Sequence, residues 1–535
     1  MIILNRRVRR DRREEDLAAS SASSAVVWLP LACALAAAIG GAIVAWRYHR
    51  LGLTLTHYDA RGHLVVARRI FDSLTPGWQQ IGGVWLPLPH LVNAIPVQVD
   101  LFYRSGASAV AISIAAFAIA TGSIATIVST LTKSSTAALA AAAVFALNPN
   151  VLYLQSTPMT EPLLVALTTR GVMMLMACCR TPVDTVGADP RVRPGPTHGS
   201  APTTMSTGLV LALACLTRYE AWPVTACALA AAVWARWRRG EPFATALHQA
   251  AVIARYPVVA IIGFAIFSRV VIGDWFLSRD FFVPENKALN DPTMAAAEIW
   301  WGVRAMSGGL LAVIAAVGLA GLIGIGLFNR RRADALIATS LVATAVIPWV
   351  AFFRGHPFRI RYMVPLIVVQ AIGAGALAGL IKRAALPVSV LLLAVAAYEL
   401  RPLDLAAPMV VEAQWDRPND PVRAQVTACL GQPGSGQKIM ASMGSLGHYM
   451  QEASRAGFAI RDFLHEGNGD LWLAALEDPF PYAEWILIEE KAEGGDMLAR
   501  RVREQPRFLE GYSRGCEGAG LALYVRSGSS PRTDR

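Results

Sequence analysis

Residues 106–131 read GASAVAISIAAFAIATGSIATIVSTL, a run of 26 residues without one charged side chain. About 20 apolar residues in a helix cross the hydrocarbon core of a bilayer, so this run predicts a membrane-spanning helix. Ten further apolar stretches recur in the first 400 residues, near 25–46, 135–150, 158–178, 206–218, 220–235, 250–272, 306–327, 334–353, 363–381 and 385–400. The sequence therefore predicts a polytopic α-helical membrane domain of about eleven transmembrane helices over residues 25–400.

The composition of the 535 residues agrees with this prediction. Hydrophobic residues make up 54% of the chain and charged residues only 16%, and the mean hydropathy is +0.42. A soluble globular protein carries roughly 25% charged residues, so a typical cytosolic enzyme is excluded. A disordered chain is excluded as well, because its hydrophobicity would be low.

The net charge of +11 is distributed unevenly along the chain. Residues 1–400 carry a net charge of +15, and residues 401–535 carry −4. The positive charge lies in loops between the apolar stretches, where the positive-inside rule places it, and this pattern argues against nucleic-acid binding.

Alternating the loops between the two sides of the membrane gives a consistent topology. With the basic N-terminus (residues 1–24) in the cytoplasm, every inner loop is basic, including residues 180–206, which are rich in Pro, Gly and Thr and predict a flexible loop. The inner loops contain Lys133, Arg180, Arg191, Arg193, Arg236, Arg238, Arg239, Arg330, Arg331, Arg332, Lys382 and Arg383. An odd number of spans then places residues 401–535 outside. Apolar runs at 438–443, 485–489 and 521–525 alternate there with helix-like stretches and predict a small extracytoplasmic α/β domain.

Seven cysteines show no zinc-binding spacing. Cys429 and Cys516 are the two that fall in the final domain. In an oxidising compartment they could pair, and the sequence leaves that pairing open.

The long first outer loop, residues 47–105, holds the densest group of polar side chains. Candidate site residues there are His57, Tyr58, Asp59, His63 and Asp100. The amphipathic stretch after Asp59 is of a kind that lies in the membrane interface, which would bring Asp59 to lipid head groups. The alternative is that Asp59 caps the helix that follows. The spacing of His57, Asp59 and His63 matches no standard metal site, so no cofactor is predicted, and a divalent metal is a lesser alternative.

Four short segments carry a resemblance to a known superfamily: Tyr58-Asp59, Asn148-Pro149-Asn150, Thr160-Glu161-Pro162 and Leu216-Thr217-Arg218-Tyr219-Glu220. In this order of spans they resemble bacterial GT-C glycosyltransferases of the family-39 type. That type includes protein O-mannosyltransferases and lipid A aminoarabinose transferases. The resemblance covers residues 25–400. Many members have adjacent Asp-Glu in the first outer loop, whereas this sequence has Asp59-Ala60.

The resemblance implies an inverting transferase that takes a sugar from a polyprenyl-phosphate carrier at the outer face of a bacterial inner membrane. By position, Asp59 matches the catalytic acid of the first outer loop and Glu161 matches a second acid, with Asp100 as the weaker candidate. Displacement of a phosphate needs a carboxylate for the acceptor's proton and cations for the leaving group. Candidates for phosphate binding are the arginines at outer helix ends, Arg218, Arg354, Arg359 and Arg361. Anchoring of these arginines to lipid head groups is the alternative.

Two further residues are candidates for substrate contact. Glu220 lies two residues after Arg218, and the alternative is a polar network with that arginine. His356 lies among the arginines of residues 354–361. The expected partners are a polyprenyl-phosphate-linked sugar donor and membrane lipids, and the acceptor is a lipid, a glycan or a protein. A transporter or flippase, or a ligase, for lipid-linked glycans is the competing function, although the chain shows no internal repeat of the kind that transporters have.

Overall fold

The computed structural model describes residues 28–81, 85–180, 203–273, 275, 285–430, 432–434, 436–491 and 495–528. The predicted cytoplasmic N-terminus and nearly all of the predicted loop at 180–206 lie outside the described residues. The described chain forms a helical membrane domain and a C-terminal domain with a small sheet, which confirms the predicted fold class.

Helices occupy all eleven segments that the sequence marks as spans. They are α1 Trp28–Arg50, α5 Ala107–Thr132, α6 Ser135–Ala146, α8 Glu161–Arg180, α9 Thr204–Cys215, α10 Ala221–Arg238, α11 Phe243–Phe267, α13 Gly309–Phe328, α14 Ala335–Thr339 continuing through a 3-10 turn into α15 Val346–Phe353, α16 Pro365–Leu380 and α17 Ala385–Leu400. In the described part of the chain, eight segments are long and apolar enough to cross a membrane. Helices α6 and α9 have only 12 residues each, so the number of crossings stays a prediction.

Small residues bring the membrane helices into close contact. Helices α13 and α16 pack against each other at Gly318 and Gly373. A Cβ atom added at Gly318 would overlap the carbonyl oxygen of Gly373. Apolar side chains gain little by leaving lipid for a helix interface, so close approach of this kind supplies the packing energy.

Five further α-helices lie in segments between these spans, in the part of the chain before residue 401 that the structure describes. They are α2 Tyr58–Arg68, α3 Leu88–Asn93, α4 Asp100–Ser105, α7 Pro149–Leu154 and α12 Pro292–Ser307. Helix α2 is buried along its length from Asp59 to Ala67. The expectation that this stretch lies in the membrane interface is wrong, because the C-terminal domain covers it. His57, rather than Asp59, caps α2 by accepting a hydrogen bond from the Asp59 N–H, so the capping role considered for Asp59 is also wrong.

The C-terminal domain contains a five-stranded mixed sheet with strand order β2-β1-β3-β5-β4. Strands β2, β1 and β3 are parallel, and β5 and β4 pair antiparallel at the other edge. The strands are β1 Ile439–Ala441, β2 Phe463–Leu464, β3 Trp485–Glu489, β4 Tyr512–Gly518 and β5 Leu521–Arg526. The helices are α18 Pro408–Glu412, α19 Asp420–Cys429, α20 Met443–Ala453, α21 Asp470–Glu477 and α22 Met497–Glu504. The three predicted apolar runs contain β1, β3 and β5.

The open question of the cysteines is settled by a disulfide between Cys429 and Cys516. It ties the end of α19 to strand β4 across 87 residues of sequence. Disulfides persist in oxidising compartments, so this bond agrees with an extracytoplasmic domain.

The C-terminal domain is docked onto the first outer loop. One hydrophobic cluster joins Leu64 and Val65 of α2 to Leu446 and Tyr449 of α20. The buried Arg61 guanidinium donates to Glu452 at 2.9 Å, to Asp420 at 3.1 Å and to the carbonyl oxygen of Leu55 at 2.6 Å. The domain therefore packs directly on the helix that carries Asp59.

Candidate active site

Asp59 and Arg361 form an ion pair between the first turn of α2 and the 3-10 turn that precedes α16. Arg361 Nη1 donates to Asp59 Oδ2, and both side chains are buried. A buried charge is costly without a partner, so the pair explains how each is tolerated at the membrane boundary. The Nε atom of Arg361 is buried and has no hydrogen-bond partner among the described residues.

A second acid, Glu412, reaches the same place from the end of α18. Its Oε2 atom accepts a hydrogen bond of 2.7 Å from the Ile360 N–H, and its Oε1 atom lies 4.0 Å from His57 Nε2. Burial raises the pKa of Glu412, although the charge of Arg361 opposes that shift. Burial, and then the charges of Arg361 and Arg359, hold the pKa of His57 well below its usual range. The imidazole is therefore neutral, and its contact with Glu412 is polar rather than an ion pair.

A second charged cluster surrounds Arg218, between α9 and α10. Its Nη1 atom donates to Glu161 Oε1 at 3.0 Å and to Thr160 Oγ1 at 3.1 Å. Its Nη2 atom donates to Glu220 Oε1 at 2.7 Å. The polar network expected for Arg218 and Glu220 is therefore present, and it also includes Glu161 at the start of α8.

The two clusters are close enough to interact electrostatically. Arg218 interacts with Tyr362, the neighbour of Arg361, and the Glu161 carboxyl interacts with that of Glu412. Glu161 Oε2 and Glu412 Oε1 are buried and, like Arg361 Nε, have no hydrogen-bond partner in the described part of the chain. Buried polar atoms are nearly always satisfied, so three unsatisfied ones in one region indicate a site that a polar ligand completes.

His63 lies one turn after Asp59 on α2 and contacts His90 of α3. The His63 Nδ1 and His90 Nε2 atoms are 3.0 Å apart, and the Trp85 ring lies 4.1 Å from that of His63. Burial lowers the pKa of His90 to about 3 and that of His63 well below its usual range. Both rings are therefore neutral, and one of the two nitrogens donates to the other.

The segment that follows α15 holds the other basic candidates. Arg354 is exposed, whereas Arg359 is half-buried and lies near His57 and Glu412. His356 Nε2 lies 3.3 Å from the Tyr362 hydroxyl oxygen, and its carbonyl oxygen accepts from Asn286 at 2.9 Å. The three arginines of this segment thus differ in environment, and Arg361 is the one that meets Asp59.

Asp100 is not part of this group. It forms an exposed ion pair of 2.7 Å with Arg68, at the last residue of α2. Arg68 is nine residues after Asp59, which is about 13 Å along a helix. The Tyr58 ring faces the C-terminal domain, where its centroid lies 5.9 Å from that of Trp415 and 6.4 Å from that of His448.

No group of three His, Cys, Asp or Glu side chains that could hold a metal ion occurs among the described residues. His57 turns its Nδ1 atom to the Asp59 N–H, and His63 turns its Nδ1 atom to His90. These ring nitrogens are therefore engaged in hydrogen bonds.

These helices and the C-terminal sheet define a class of protein: a multi-pass helical membrane protein that shares its fold with two solved structures. The chain is similar to the crystal structure of ArnT from Cupriavidus metallidurans bound to undecaprenyl phosphate, with a TM-score of 0.54, 12% identity, and coverage of 92% of this chain and 98% of that one. The apo structure of the same ArnT matches with a TM-score of 0.53, 12% identity, and coverage of 92% and 97%. No family model and no curated protein matches the sequence. The TM-scores establish a common fold, and an identity of 12% carries no substrate with it.

Sequence reasoning did not select Glu412, Tyr362 or Thr160 as site residues, although Thr160 lies in one of the four quoted segments, and it predicted His90 to be a structural residue of the loop. Thr160 and Tyr362 directly adjoin the predicted residues Glu161 and Arg361. Glu412 directly follows the apolar residues Met409, Val410 and Val411. An acid at the end of such a run is the one local feature that could have marked Glu412 as a candidate. Its contact with residue 360 joins positions 52 residues apart, which no local pattern predicts.

Proposed function

We propose that this protein is an inverting glycosyltransferase that moves a sugar from a polyprenyl-phosphate carrier to an acceptor at the outer face of a bacterial inner membrane. The observation that carries the proposal is the buried Asp59–Arg361 pair within a GT-C fold. A carboxylate and a guanidinium are the two groups that this reaction requires, one for the acceptor proton and one for the leaving phosphate.

In the proposed reaction Asp59 takes the proton of the acceptor hydroxyl. The hydroxyl oxygen forms a bond to the anomeric carbon while the bond from that carbon to the phosphate oxygen breaks. The polyprenyl phosphate leaves with the electron pair of the broken bond, and the configuration at the anomeric carbon inverts. Arg361 and Arg359 stabilise the charge that grows on the phosphate.

Asp59 must lose its ion pair before it can act as a base. The donor phosphate competes with Asp59 for Arg361, and the unsatisfied Arg361 Nε atom offers it a second donor. A guanidinium binds phosphate through two parallel N–H groups, so this exchange is favourable. Donor binding therefore frees the carboxylate at the moment when it is needed.

The cluster around Arg218 orients the acceptor in this proposal. Glu161 Oε2 is one of the buried oxygen atoms that have no hydrogen-bond partner among the described residues, and it could accept a hydrogen bond from a hydroxyl group of the substrate that receives the sugar. Arg218 pairs with both Glu161 and Glu220 and so holds the two carboxyl groups in place. His57, Tyr58, His63 and His356 are further candidates for contact with the substrates.

An apolar cavity of about 650 Å³ suits the prenyl chain of the donor. It lies between α10, α12 and α15, and its lining includes Cys227, Ala231, Ile299, Val346 and Trp349. Trp349 stacks on Phe353, the residue before Arg354. A chain in this cavity would have its phosphate near the arginines of residues 354–361.

The disulfide of the C-terminal domain and the basic residues at the opposite helix ends support the proposed orientation. The N-terminus is then cytoplasmic, and both the C-terminal domain and Asp59 face the outside.

The test is mass spectrometry of lipids that co-purify with the wild-type protein, Asp59→Asn and the control Asp100→Asn. We expect bare polyprenyl phosphate with the wild type and the control, and a polyprenyl-phosphate sugar retained by Asp59→Asn. The same intact, longer lipid-linked glycan in all three preparations would contradict the proposal and favour a transporter or ligase. Asp100 is an apt control because it lies in the same loop and is exposed.

A further inference from the structure

A second cavity, which is polar, lies at the end of the membrane helices opposite to Asp59. It has a volume of about 580 Å³ and is lined by the ends of α5, α8 and α16 and by the segment after α13. Its basic lining residues are Lys133, Arg180, Arg239, Arg331, Arg332 and Lys382. Helix α8 separates the two sites, since Glu161 begins it and Arg180 ends it.

One buried carboxylate serves two of these six cations. Arg180 pairs with Asp334 Oδ2, and Arg239 Nη2 pairs with Asp334 Oδ1 at 2.6 Å. Asp334 is only 1% exposed. The two guanidinium groups share the single negative charge of Asp334, so these three side chains together keep a net positive charge.

Backbone carbonyl groups fix the positions of three guanidinium groups. Arg180 Nη1 donates to the carbonyl oxygen of Thr130 at 3.2 Å, and Arg239 Nη1 donates to that of Cys179 at 2.6 Å. Arg332 Nη2 donates to the carbonyl oxygen of Leu131. These groups are held around the cavity rather than spread into solvent.

The other three cations, Lys133, Arg331 and Lys382, have no carboxylate within 4.0 Å in the part of the chain that the structure describes. The C-terminal ends of α5, α8, α10 and α16 each contribute about half a negative charge. Together with Asp334 these ends offset only about half of the six positive charges. The positive-inside rule explains why basic residues occur on this side, but it does not require them to line one cavity.

We infer that this cavity is a binding site for a phosphate group, distinct from the proposed active site. The phosphate belongs either to the head group of an anionic phospholipid in the adjoining leaflet or to free phosphate. Guanidinium groups held in place and flexible lysines both suit phosphate oxygens. A cavity of this size lies within the range of small-molecule sites, and it accommodates a phosphoglycerol head group. The inference stands independently of the proposed transferase reaction.

The chain offers a matched pair of variants as a test. Arg331→Gln/Lys382→Gln removes two lining charges, and Arg330→Gln/Arg383→Gln removes two charges from adjacent, exposed residues on the same face. The delipidated full-length protein is titrated with phosphatidylglycerol and with phosphatidylcholine, and binding is followed by native mass spectrometry. In a second arm, thermal unfolding is measured in sodium phosphate and in sodium chloride at equal ionic strength.

We expect the lining variant to bind phosphatidylglycerol about tenfold more weakly, because each of the two lost contacts contributes roughly 1 kcal/mol or less to binding. The adjacent variant should stay within about twofold of the wild type, and phosphatidylcholine binding should not depend on either change. If phosphate raises the unfolding temperature, and only the lining variant loses this effect, the ligand is free phosphate. If phosphatidylglycerol binds but phosphate does not raise the unfolding temperature, the ligand is the lipid. Equal weakening in both variants, or weakening in neither, overturns the inference. The single variants Lys382→Gln and Arg383→Gln repeat the comparison at neighbouring positions if a double variant folds poorly.

Discussion

Glu412, which follows the last membrane helix, accepts a hydrogen bond of 2.7 Å from the backbone N–H of Ile360, the residue before Arg361. The C-terminal segment thus holds the turn that presents Arg361 to Asp59. The C-terminal domain also packs on α2, which carries Asp59. Both halves of the ion pair therefore depend on the same C-terminal domain for their positions.

Replacing Glu412 should weaken the binding of polyprenyl phosphate. In Glu412→Ala the buried Ile360 N–H loses its acceptor, which costs about 1–3 kcal/mol of stability. Arg359 and Arg361 would no longer be held in place, and we expect affinity for polyprenyl phosphate to fall roughly tenfold, measured by native mass spectrometry. Glu412→Gln keeps an acceptor oxygen and should remain within about twofold of the wild type.

Glu399→Ala is the control for this change. Glu399 accepts hydrogen bonds from the N–H groups of Leu310 at 2.9 Å and Leu311 at 2.8 Å, so its loss should lower stability in a similar way. It does not contact residues 359–361 among the described hydrogen bonds, and affinity should be unchanged. An equal loss of affinity in both variants would show that the effect is general destabilisation.

The sequence predicted the membrane helices well because each is long or apolar enough to be recognised locally. The resemblance to GT-C glycosyltransferases placed Asp59 and Glu161 among the candidates, and the position of arginines at predicted helix ends added Arg218 and Arg361. The pairings of these residues could not be predicted. Asp59 and Arg361 are 302 residues apart, and their contact depends on how α2 and α16 pack. The burial of α2 was missed for the same reason, because an amphipathic helix does not reveal whether lipid or protein covers it.

Arg61 should be essential for docking of the C-terminal domain. Its buried guanidinium serves Glu452, Asp420 and the carbonyl oxygen of Leu55, and Arg61→Ala leaves the two acids without this partner. Arg423 still pairs with both acids, so the cost should stay below the roughly 3–5 kcal/mol of a buried ion pair that loses its only partner. Hydrogen exchange in α19 and α20 should increase strongly. Arg104→Ala, which breaks an exposed pair with Asp100 in the same loop, should change stability by less than about 1 kcal/mol. Similar exchange in both variants would argue against this docking role.

Loss of the disulfide should destabilise the C-terminal domain. Cys429 and Cys516 are 87 positions apart in the sequence, and a loop of about that length corresponds to roughly 4–5 kcal/mol in the chain-entropy description. The double variant Cys429→Ser/Cys516→Ser should therefore unfold at a lower temperature than the wild type. A reductant should lower the unfolding temperature of the wild type by a similar amount. Reductant should have no further effect on the double variant. A wild-type protein insensitive to reductant would contradict the prediction.

The stability of the C-terminal domain should fall as the pH rises from about 4.5 to 7. Burial, and then the carboxylates of Asp496 and Asp416, raise the pKa of Glu489 from 4.5 to about 7, against the opposing charge of Arg423. Between these two values the unfolded chain ionises while the folded domain keeps its proton, so rising pH favours unfolding. The unfolding free energy falls by at most about 3 kcal/mol. This fall is complete above pH 7 and absent below pH 4.5.

Glu489→Gln removes this titration. Its unfolding free energy, measured with denaturant across the same pH range, should depend less on pH and exceed that of the wild type at pH 8. Glu477→Gln on α21 is a control, because Glu477 lies away from Asp496 and Asp416 at the end of another helix. A wild type and a Glu489→Gln variant with parallel pH profiles would contradict the assignment.

A double-mutant cycle on Asp59 and Arg361 separates the structural role of their ion pair from its role in transfer. Asp59→Asn and Arg361→Gln each leave one buried charge without its partner, and each should cost about 3–5 kcal/mol in unfolding free energy. The double variant removes both charges, so its cost should be lower than the sum by about 1–3 kcal/mol. Transfer should behave differently, because the proposed reaction needs the carboxylate for the acceptor proton and the guanidinium for the phosphate. Sugar transfer from a polyprenyl-phosphate sugar supplied to each variant should therefore stay undetectable in Asp59→Asn and in the double variant, even though the double variant loses less stability than the sum of the two single variants. Recovery of transfer together with stability would show that the pair only holds α2 against α16, and Asp59 would then lose its role as the base.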